Sequence, residues 1–129
     1  MKLAVVGSRH FTDYKMMSEV LSKIKNITLI VSGGNRTFDH YNNRYMGADY
    51  FAEVFATVNN IPLLVHPANW YTEGRLDKSA GFKRNIKIVK DCDQLIAFWD
   101  GESKGTGHSI QEAKKANKKV TIVTFGSTK

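Results

Sequence analysis

The sequence predicts an α/β protein in which a five-stranded, mainly parallel sheet carries helices on both faces, as in Rossmann-like three-layer sandwiches. Short, unbroken apolar runs recur along the chain, which is typical of parallel strands that are buried on both sides. Amphipathic segments lie between these runs, so that strands and helices alternate. The chain has 129 residues, the length of one domain, and we expect a single domain over residues 1–129.

Five apolar runs are predicted to be the strands of this sheet. They are residues 2–6, 28–32, 62–66, 94–99 and 119–125. The first two helices are predicted from apolar residues that recur on one helical face. These are Met16, Val20, Leu21 and Ile24 in the first helix and Ala48, Phe51, Ala52, Phe55 and Ala56 in the second. Residues 80–92 and 108–117 supply two further helices.

The composition excludes several classes of protein. Cys92 is the only cysteine, so an internal disulfide is excluded, and a cytoplasmic protein is expected. The first residues hold too short an apolar run for a signal peptide or a membrane span, and we predict no membrane partner. The histidines are scattered without the spacing of metal ligands, so the sequence predicts no metal site and no cofactor.

The net charge of +7 favours anionic partners such as nucleotides, nucleic acid or phosphorylated metabolites. Charge alone does not distinguish among these partners. Much of the excess lies in one run of lysines, Lys114, Lys115, Lys118 and Lys119. Such a run more often covers a solvated helix face than forms a binding site.

Polar, mostly glycine-bearing segments lie at several predicted strand ends and helix starts. Glycines leave backbone amides accessible, arginine offers a planar set of donors, and a helix start favours negative charge. Because the carboxyl ends of parallel strands meet at one edge of a sheet, these segments are expected to form a single anion site. The predicted ligand-binding residues are Gly7, Ser8, Arg9, Ser32, Gly33, Gly34, Asp49, Trp70, Arg84, Asn85, Asp100, Gly101, Ser103, Gly105 and Thr106.

Separate arguments apply to three of these predicted site residues. Arg84 places positive charge near the start of a helix, where it opposes the helix dipole, and a bound anion would relieve that conflict. Asp49 lies where the second helix begins, and the simplest interpretation is that it caps this helix or interacts with its dipole. Trp70 lies with Tyr71 in a polar loop, where it either stacks on a base or covers the site.

Two long stretches lack a clear period, residues 33–46 and 67–79. Each follows the carboxyl end of a predicted strand and is longer than a plain connection requires. They are therefore candidate ligand or partner loops.

Taken together, these segments resemble the SLOG superfamily. This group of Rossmann-like domains includes the DNA-processing protein A and the Lonely Guy phosphoribohydrolases, and the resemblance is to its small stand-alone members. It covers nearly the whole chain. It rests on VVGSRHF (5–11), VSGGNR (31–36) with GADYFAE (47–53), HPANWY (66–71) with AGFKRN (80–85), and DQLIAFWDGESKGTGHSI (93–110).

The resemblance implies a nucleotide or nucleotide-derived ligand held by the glycine-rich turns, and in some relatives the sensing of an ADP-ribose signal derived from NAD. Two features depart from the group. The Lonely Guy enzymes carry GGxGTxxE with a catalytic glutamate, but Ser109 lies three positions beyond Thr106 here, and Glu112 lies a further turn away. Small members also run from SGG almost directly into GAD, whereas this chain inserts residues 35–46, which form a lid, an oligomer contact or part of the pocket.

The leading hypothesis is therefore a module that binds a phosphorylated nucleotide, an ADP-ribose-like molecule or a cyclic nucleotide signal, for sensing or sequestration. A nucleotide N-glycosidic hydrolase is one alternative, and it needs a carboxylate near the ribose. The candidates for that carboxylate are Asp49, Glu53, Asp100 and Glu112. A single-stranded nucleic-acid binder is the other alternative. Catalytic residues are not assigned, and a homo-oligomer is expected because this small sheet leaves apolar helix faces to cover.

Overall fold

The computed structural model describes residues 1–125. The last four residues of the predicted domain, 126–129, lie outside the described part. The elements in chain order are β1 (Lys2–Gly7), α1 (Tyr14–Ser22), β2 (Leu29–Ser32), β3 (Thr37–Asp39), β4 (Arg44–Met46), α2 (Ala48–Val58), β5 (Leu63–Val65), β6 (Tyr71–Thr72), β7 (Arg75–Leu76), α3 (Ala80–Lys90), β8 (Gln94–Trp99), α4 (Lys104–Lys115) and β9 (Lys119–Thr124).

The five predicted strands form one sheet in the order β5-β2-β1-β8-β9, and every neighbouring pair is parallel. The prediction of a five-stranded sheet is confirmed, and the sheet is entirely parallel. From β1 the chain proceeds outward to β2 and β5, and it then returns to β8 on the other side of β1. Parallel sheets leave a crevice outside the carboxyl ends of the strands at such a reversal. The fold thus places a crevice beyond the ends of β1 and β8.

Two apolar layers enclose the sheet. Because side chains alternate along a strand, Leu3 and Val5 face the layer that includes α1 and α2, while Ala4 and Val6 face the layer that includes α3 and α4. The α1/α2 layer is rich in aromatic rings, with Phe11 packed against neighbouring phenylalanines at centroid distances of 4.8–6.1 Å. The two layers confirm the three-layer sandwich.

The helices differ from the prediction mainly at their ends. The whole predicted apolar face of α2 is buried, whereas α1 ends at Ser22, so Ile24 packs against the core from beyond the helix. The last helix, α4, begins at Lys104, earlier than the predicted residue 108. Glycines at 105 and 107 disfavour a helix in the sequence pattern, so this first turn was not predicted. Within residues 1–125, no helix is both long and apolar enough to cross a membrane.

Both long loops contain a small antiparallel hairpin. In the first loop, Phe38 of β3 faces Tyr45 of β4 with ring centroids 5.3 Å apart, and Asp39 accepts hydrogen bonds from the backbone N–H groups of the turn. In the second loop, β6 pairs with β7. Strands of two or three residues are too short to show an alternating pattern, which explains why the sequence did not predict them.

One member of the lysine run has a structural role. Lys118 is half-buried, and its Nζ donates to the carbonyl oxygens of Val89 and Cys92 at 2.6 Å each and of Lys90 at 3.3 Å. These carbonyls lie at the end of α3, where backbone acceptors lack helical partners and a cation is favourable. Lys118 therefore departs from the solvated role expected for the run.

Candidate functional site

A cavity of about 420 Å³ lies in the crevice at the carboxyl edge of the sheet. The turns after β1, β2 and β8 surround it, together with the first turns of α2, α3 and α4. The predicted ligand-binding residues that line it are Gly7, Ser8, Arg9, Gly33, Asp49, Arg84, Asn85, Asp100, Ser103, Gly105 and Thr106. The sheet topology thus brings together most of the segments that the sequence singled out.

Four of the predicted residues do not line the cavity. Ser32 is fully buried, and its Oγ accepts a hydrogen bond from the backbone N–H of Gly34 at 3.2 Å. Gly34 has φ of +76° and lies so close to Val65 that a side chain would collide with it, so both residues shape the turn behind the cavity. Gly101 lies in the turn after β8, outside the lining. Trp70 lines a neighbouring recess instead.

Sequence reasoning missed several residues of the lining. Val6 and Ile88 are apolar, whereas His10, Asn35, Glu102 and Ser109 are polar. Ser109 lies four residues after Gly105 in α4, a spacing that places both on one helix face, and its Oγ donates to the Gly105 carbonyl. That spacing could have identified Ser109 as a residue of the lining. Asn35 lay unrecognised at the start of the insertion.

Arg84 contributes a buried positive charge to the cavity. Its side chain extends from α3, its Nε donates to Asn85 Oδ1 at 2.9 Å, and its Nη1 donates to the Gly33 carbonyl at 3.2 Å. The residue is only 8% exposed. Among residues 1–125, no carboxylate lies within the 4.0 Å of an ion pair with it. Burial lowers the pKa of Arg84, although the negative charge of Asp49, which lies beyond ion-pair distance, opposes this shift.

Asp49 lines the cavity, and its carboxyl group binds a backbone N–H outside α2. Gly47 precedes the first residue of α2, and this helix start has no side-chain cap, so the prediction that Asp49 caps it is wrong; Asp49 does lie in the first turn, where the predicted interaction with the helix dipole is favourable. Its Oδ2 instead accepts a hydrogen bond from the backbone N–H of Asn35 at 3.1 Å. Burial raises the pKa of Asp49 to about 6, although the Asn35 hydrogen bond and the charge of Arg84 oppose this rise. The carboxyl group is therefore mostly ionised at neutral pH and increasingly protonated below about pH 6.

Gly33 separates these two charged groups. A Cβ atom at this position would lie 2.5 Å from Arg84 Nη1 and 2.9 Å from Asp49 Oδ2. Real Cβ atoms do not approach other atoms so closely, so a side chain here would displace the guanidinium. The absence of a side chain at Gly33 allows both charged groups to converge on the end of β2.

The start of α4 adds backbone donors. Asp100 Oδ1 accepts hydrogen bonds from the backbone N–H groups of Glu102 and Ser103 at 2.9 Å each, and these bonds lower the pKa of Asp100. Asp100 thus orders the turn that leads into the helix. The first backbone N–H groups of a helix lack helical partners and carry the positive end of its dipole. No side chain caps this helix start, and its residues Gly105 and Thr106 line the cavity.

Three of the residues considered as donors or acids have other partners. The backbone N–H of Ser8 donates to the Phe98 carbonyl at 3.0 Å, so this amide serves the sheet rather than a ligand. Glu53 forms an ion pair with Arg36 at 3.3 Å, and Glu112 forms one with Lys115 at 3.2 Å. Neither glutamate lines the cavity, which leaves Asp49 and Asp100 as the candidate carboxylates that reach it.

Comparison with known proteins identifies one similar curated protein. No family model matches the sequence. The chain is similar to the Gene 61 protein of Mycobacterium phage D29, with 29% identity over 133 residues that cover 97% of this chain and 96% of the phage protein. That similarity runs through both proteins almost from end to end.

Solved structures of DNA processing protein A have the same fold. The protein from Streptococcus pneumoniae matches 98% of this chain with a TM-score of 0.74 and 21% identity. The protein from Helicobacter pylori, solved for its mode of binding single-stranded DNA, matches 95% with a TM-score of 0.65 and 21% identity. This chain spans 50% and 64% of those two proteins. The chain therefore has the Rossmann-like fold of DNA processing protein A over nearly its whole length, which is the fold that the resemblance to the SLOG superfamily implied.

Proposed function

We propose that this protein binds single-stranded nucleic acid and holds one phosphate group of the strand in the cavity at the carboxyl edge of the sheet. Arg84 supplies the positive charge, and the first backbone N–H groups of α4 supply neutral donors. The observation that carries the proposal is the buried guanidinium of Arg84, which lines the cavity and, within residues 1–125, has only Asn85 and Gly33 as hydrogen-bond partners. A desolvated cation of this kind gains most from an anion that replaces its lost water.

A strand is favoured over a single small molecule by the positive charge of the chain as a whole and by an exposed arginine at the cavity. Arg9 lies at its rim and is exposed, and the chain as a whole carries a net charge of +7. Exposed cations of this kind attract a polyanion over several phosphates. The protein from Helicobacter pylori, which shares the fold, binds single-stranded DNA. We carry that partner class over to this chain as part of the proposal.

A second candidate is a single nucleotide or a nucleotide-derived molecule, such as an ADP-ribose-like compound or a cyclic nucleotide, bound for sensing or sequestration. The observation that favours it is the size of the cavity, about 420 Å³. Sites for small molecules commonly fall between about 300 and 1,000 Å³. In this case the buried groups, Arg84 and Asp49, account for most of the recognition.

Salt dependence separates the two candidates. A strand bound through Arg84, Arg9 and one further cation releases counter-ions, and a plot of log affinity against log salt then has a slope of about −2 for three phosphates. A mononucleotide has no condensed counter-ions to release, so its slope is expected to be much shallower. We expect the steeper slope with an oligothymidylate, measured by fluorescence anisotropy between about 50 and 300 mM salt. Thymidine monophosphate serves as the matched ligand.

Three other results would contradict the proposal that the protein binds a strand. If mononucleotides bind more tightly than oligothymidylate and both slopes are shallow, the protein is a pocket binder and the second candidate holds. If the protein also releases free base from the mononucleotide, the hydrolase alternative holds, with Asp49 or Asp100 as its first candidate acids. If neither ligand binds at low salt, both binding proposals fail.

A further inference from the structure

A second recess lies beside the cavity and shares a wall with it. This recess has a volume of about 310 Å³ and is lined by Arg9, Asn35, Arg36, Thr37 and Trp70. Arg9 and Asn35 line the cavity as well. A ligand that passes over these two residues therefore contacts both spaces. The recess exists because of the insertion after β2, which supplies Asn35, Arg36 and Thr37.

Arg36 is held in place within this recess but keeps an open side. Its Nη2 lies 3.3 Å from Glu53 Oε1, and its guanidinium lies over the rings of Tyr45 and Tyr50 at 5.7 and 5.6 Å. About half of the side chain, 51%, remains exposed. A guanidinium has five N–H donors in a fixed plane, so the bond to Glu53 leaves donors for a second acceptor. The preordered side chain loses little freedom when a phosphate or a base carbonyl binds.

Trp70 forms the opposite wall of the recess. Its ring packs over Gly81 at the start of α3, close enough that a Cβ atom there would lie 3.4 Å from it. Its carbonyl accepts a hydrogen bond from the backbone N–H of Asp77 at 2.6 Å, which ties it to the base of the second hairpin. The residue is nevertheless 39% exposed. An anchored and partly exposed indole beside a cation is a suitable surface for a stacked base.

We infer that the recess between the two hairpins is a second nucleotide subsite, in which the base stacks on Trp70 and the guanidinium of Arg36 contacts the same nucleotide. Arg9, which lines both spaces, contacts the phosphate that links this nucleotide to the one in the cavity. This inference rests on the proposed function, because only a strand occupies both spaces at once. The subsite takes any base, since all bases offer an aromatic face. The insertion thus lengthens the strand that the protein grips.

The test compares ligands that reach the recess with one that does not. Affinities for thymidine monophosphate and for thymidylates of two and three nucleotides are measured by calorimetry with the wild type, Trp70→Ala and Tyr71→Ala. Tyr71 is the matched control, because it is an exposed aromatic residue of the same hairpin that does not line the recess. Trp70→Ala is expected to weaken binding of the longer ligands about tenfold. Its affinity for the mononucleotide is expected to stay unchanged, and Tyr71→Ala is expected to match the wild type.

A fluorescence measurement gives an independent readout. The protein has two tryptophans, and a base stacked on Trp70 quenches its emission. We expect quenching by the two- and three-nucleotide ligands only, and its loss in Trp70→Phe. The inference is overturned if Trp70→Ala affects all ligands equally, or none of them, while the wild type binds the strand. Failure of the wild type to bind any strand overturns the proposed function itself, so the two failures are distinguishable.

Discussion

Two arginines of the proposed site lie in opposite environments. Arg84 is buried in the cavity without an ion-pair partner among the described residues, and Arg36 is half exposed in the recess with Glu53 as its partner. Interactions of a buried charge are weakly screened, whereas an exposed pair competes with water and salt. In the proposed mode of binding, similar side chains in adjoining spaces therefore have different roles. Arg84 would account for the strength of phosphate binding, and Arg36 would extend the contact along a strand.

The largest effect is expected from Arg84→Met. This change removes the buried charge and keeps most of the apolar stem, so strand affinity is expected to fall at least tenfold, by about 1.4 kcal/mol or more. The free energy of unfolding is expected to change little, because the variant no longer desolvates a cation, while the Gly33 carbonyl loses a donor and Asp49 loses a nearby positive charge. Anisotropy with oligothymidylate and urea denaturation measure the two quantities.

The matched control for this change is Lys83→Met. Lys83 precedes Arg84 on the same helix, but it is exposed and pairs with Asp77 at 2.8 Å, away from the cavity lining. Loss of its charge is expected to reduce strand affinity no more than about twofold. Equal losses in both variants would mean that net charge, and not the buried guanidinium, determines binding. An unchanged affinity in Arg84→Met would remove the basis of the proposed site.

The sequence allowed the role of Arg84 to be predicted, but not that of Arg36. Arg84 was predictable because cations near a helix start oppose the helix dipole, and because strand order brings the ends of β1, β2 and β8 to one edge. Its burial was not predictable. It depends on the missing side chain of Gly33, and the sequence does not show that Gly33 and Arg84 are neighbours in the folded protein. Arg36 lies in a hairpin whose three-residue strands carry no period.

Small residues near strand ends were the hardest to assign. Ser32 and Gly33 are adjacent, yet Ser32 ends β2 and is fully buried, whereas Gly33 follows the strand and lines the cavity. Trp70 was predicted to stack on a base or cover the site, and the path of its loop places it in the recess beside the cavity. Loop paths depend on tertiary packing, which local sequence patterns do not encode.

A smaller effect is expected from the acidic neighbour of Arg84. The negative charge of Asp49 opposes a bound phosphate, and its pKa is raised to about 6, so protonation on going from neutral pH to about pH 5 is expected to strengthen binding roughly fivefold. Asp49→Asn is expected to bind more tightly than the wild type at neutral pH and to lack this part of the pH dependence. The ligand is an oligothymidylate without a terminal phosphate, because its phosphodiesters do not titrate in this range.

The free energy of unfolding is also expected to rise when Asp49 is protonated. The carboxyl group of Asp49 has a higher pKa in the folded protein than the ordinary value of 3.8, so the folded state binds the proton more readily. The wild type is therefore expected to gain stability relative to Asp49→Asn as the pH falls from about 7 toward 4. A stability difference that does not vary with pH would show that the carboxyl group is not buried as a weak acid. The apparent role of Asp49 in binding would then need another cause.

The smallest effect is expected from Arg36→Gln, and it tests directly whether exposure makes Arg36 differ from Arg84. Because the guanidinium is half exposed, its loss is expected to weaken binding of a three-nucleotide strand about threefold at low salt and not at all near about 1 M salt, where screening acts over about 3 Å. Mononucleotide affinity is expected to stay unchanged. Arg44→Gln is the matched control, since Arg44 is an exposed arginine of the same hairpin outside the recess. If Arg36→Gln instead equals Arg84→Met in size and in resistance to salt, the two spaces bind phosphate in the same way, and burial does not distinguish them.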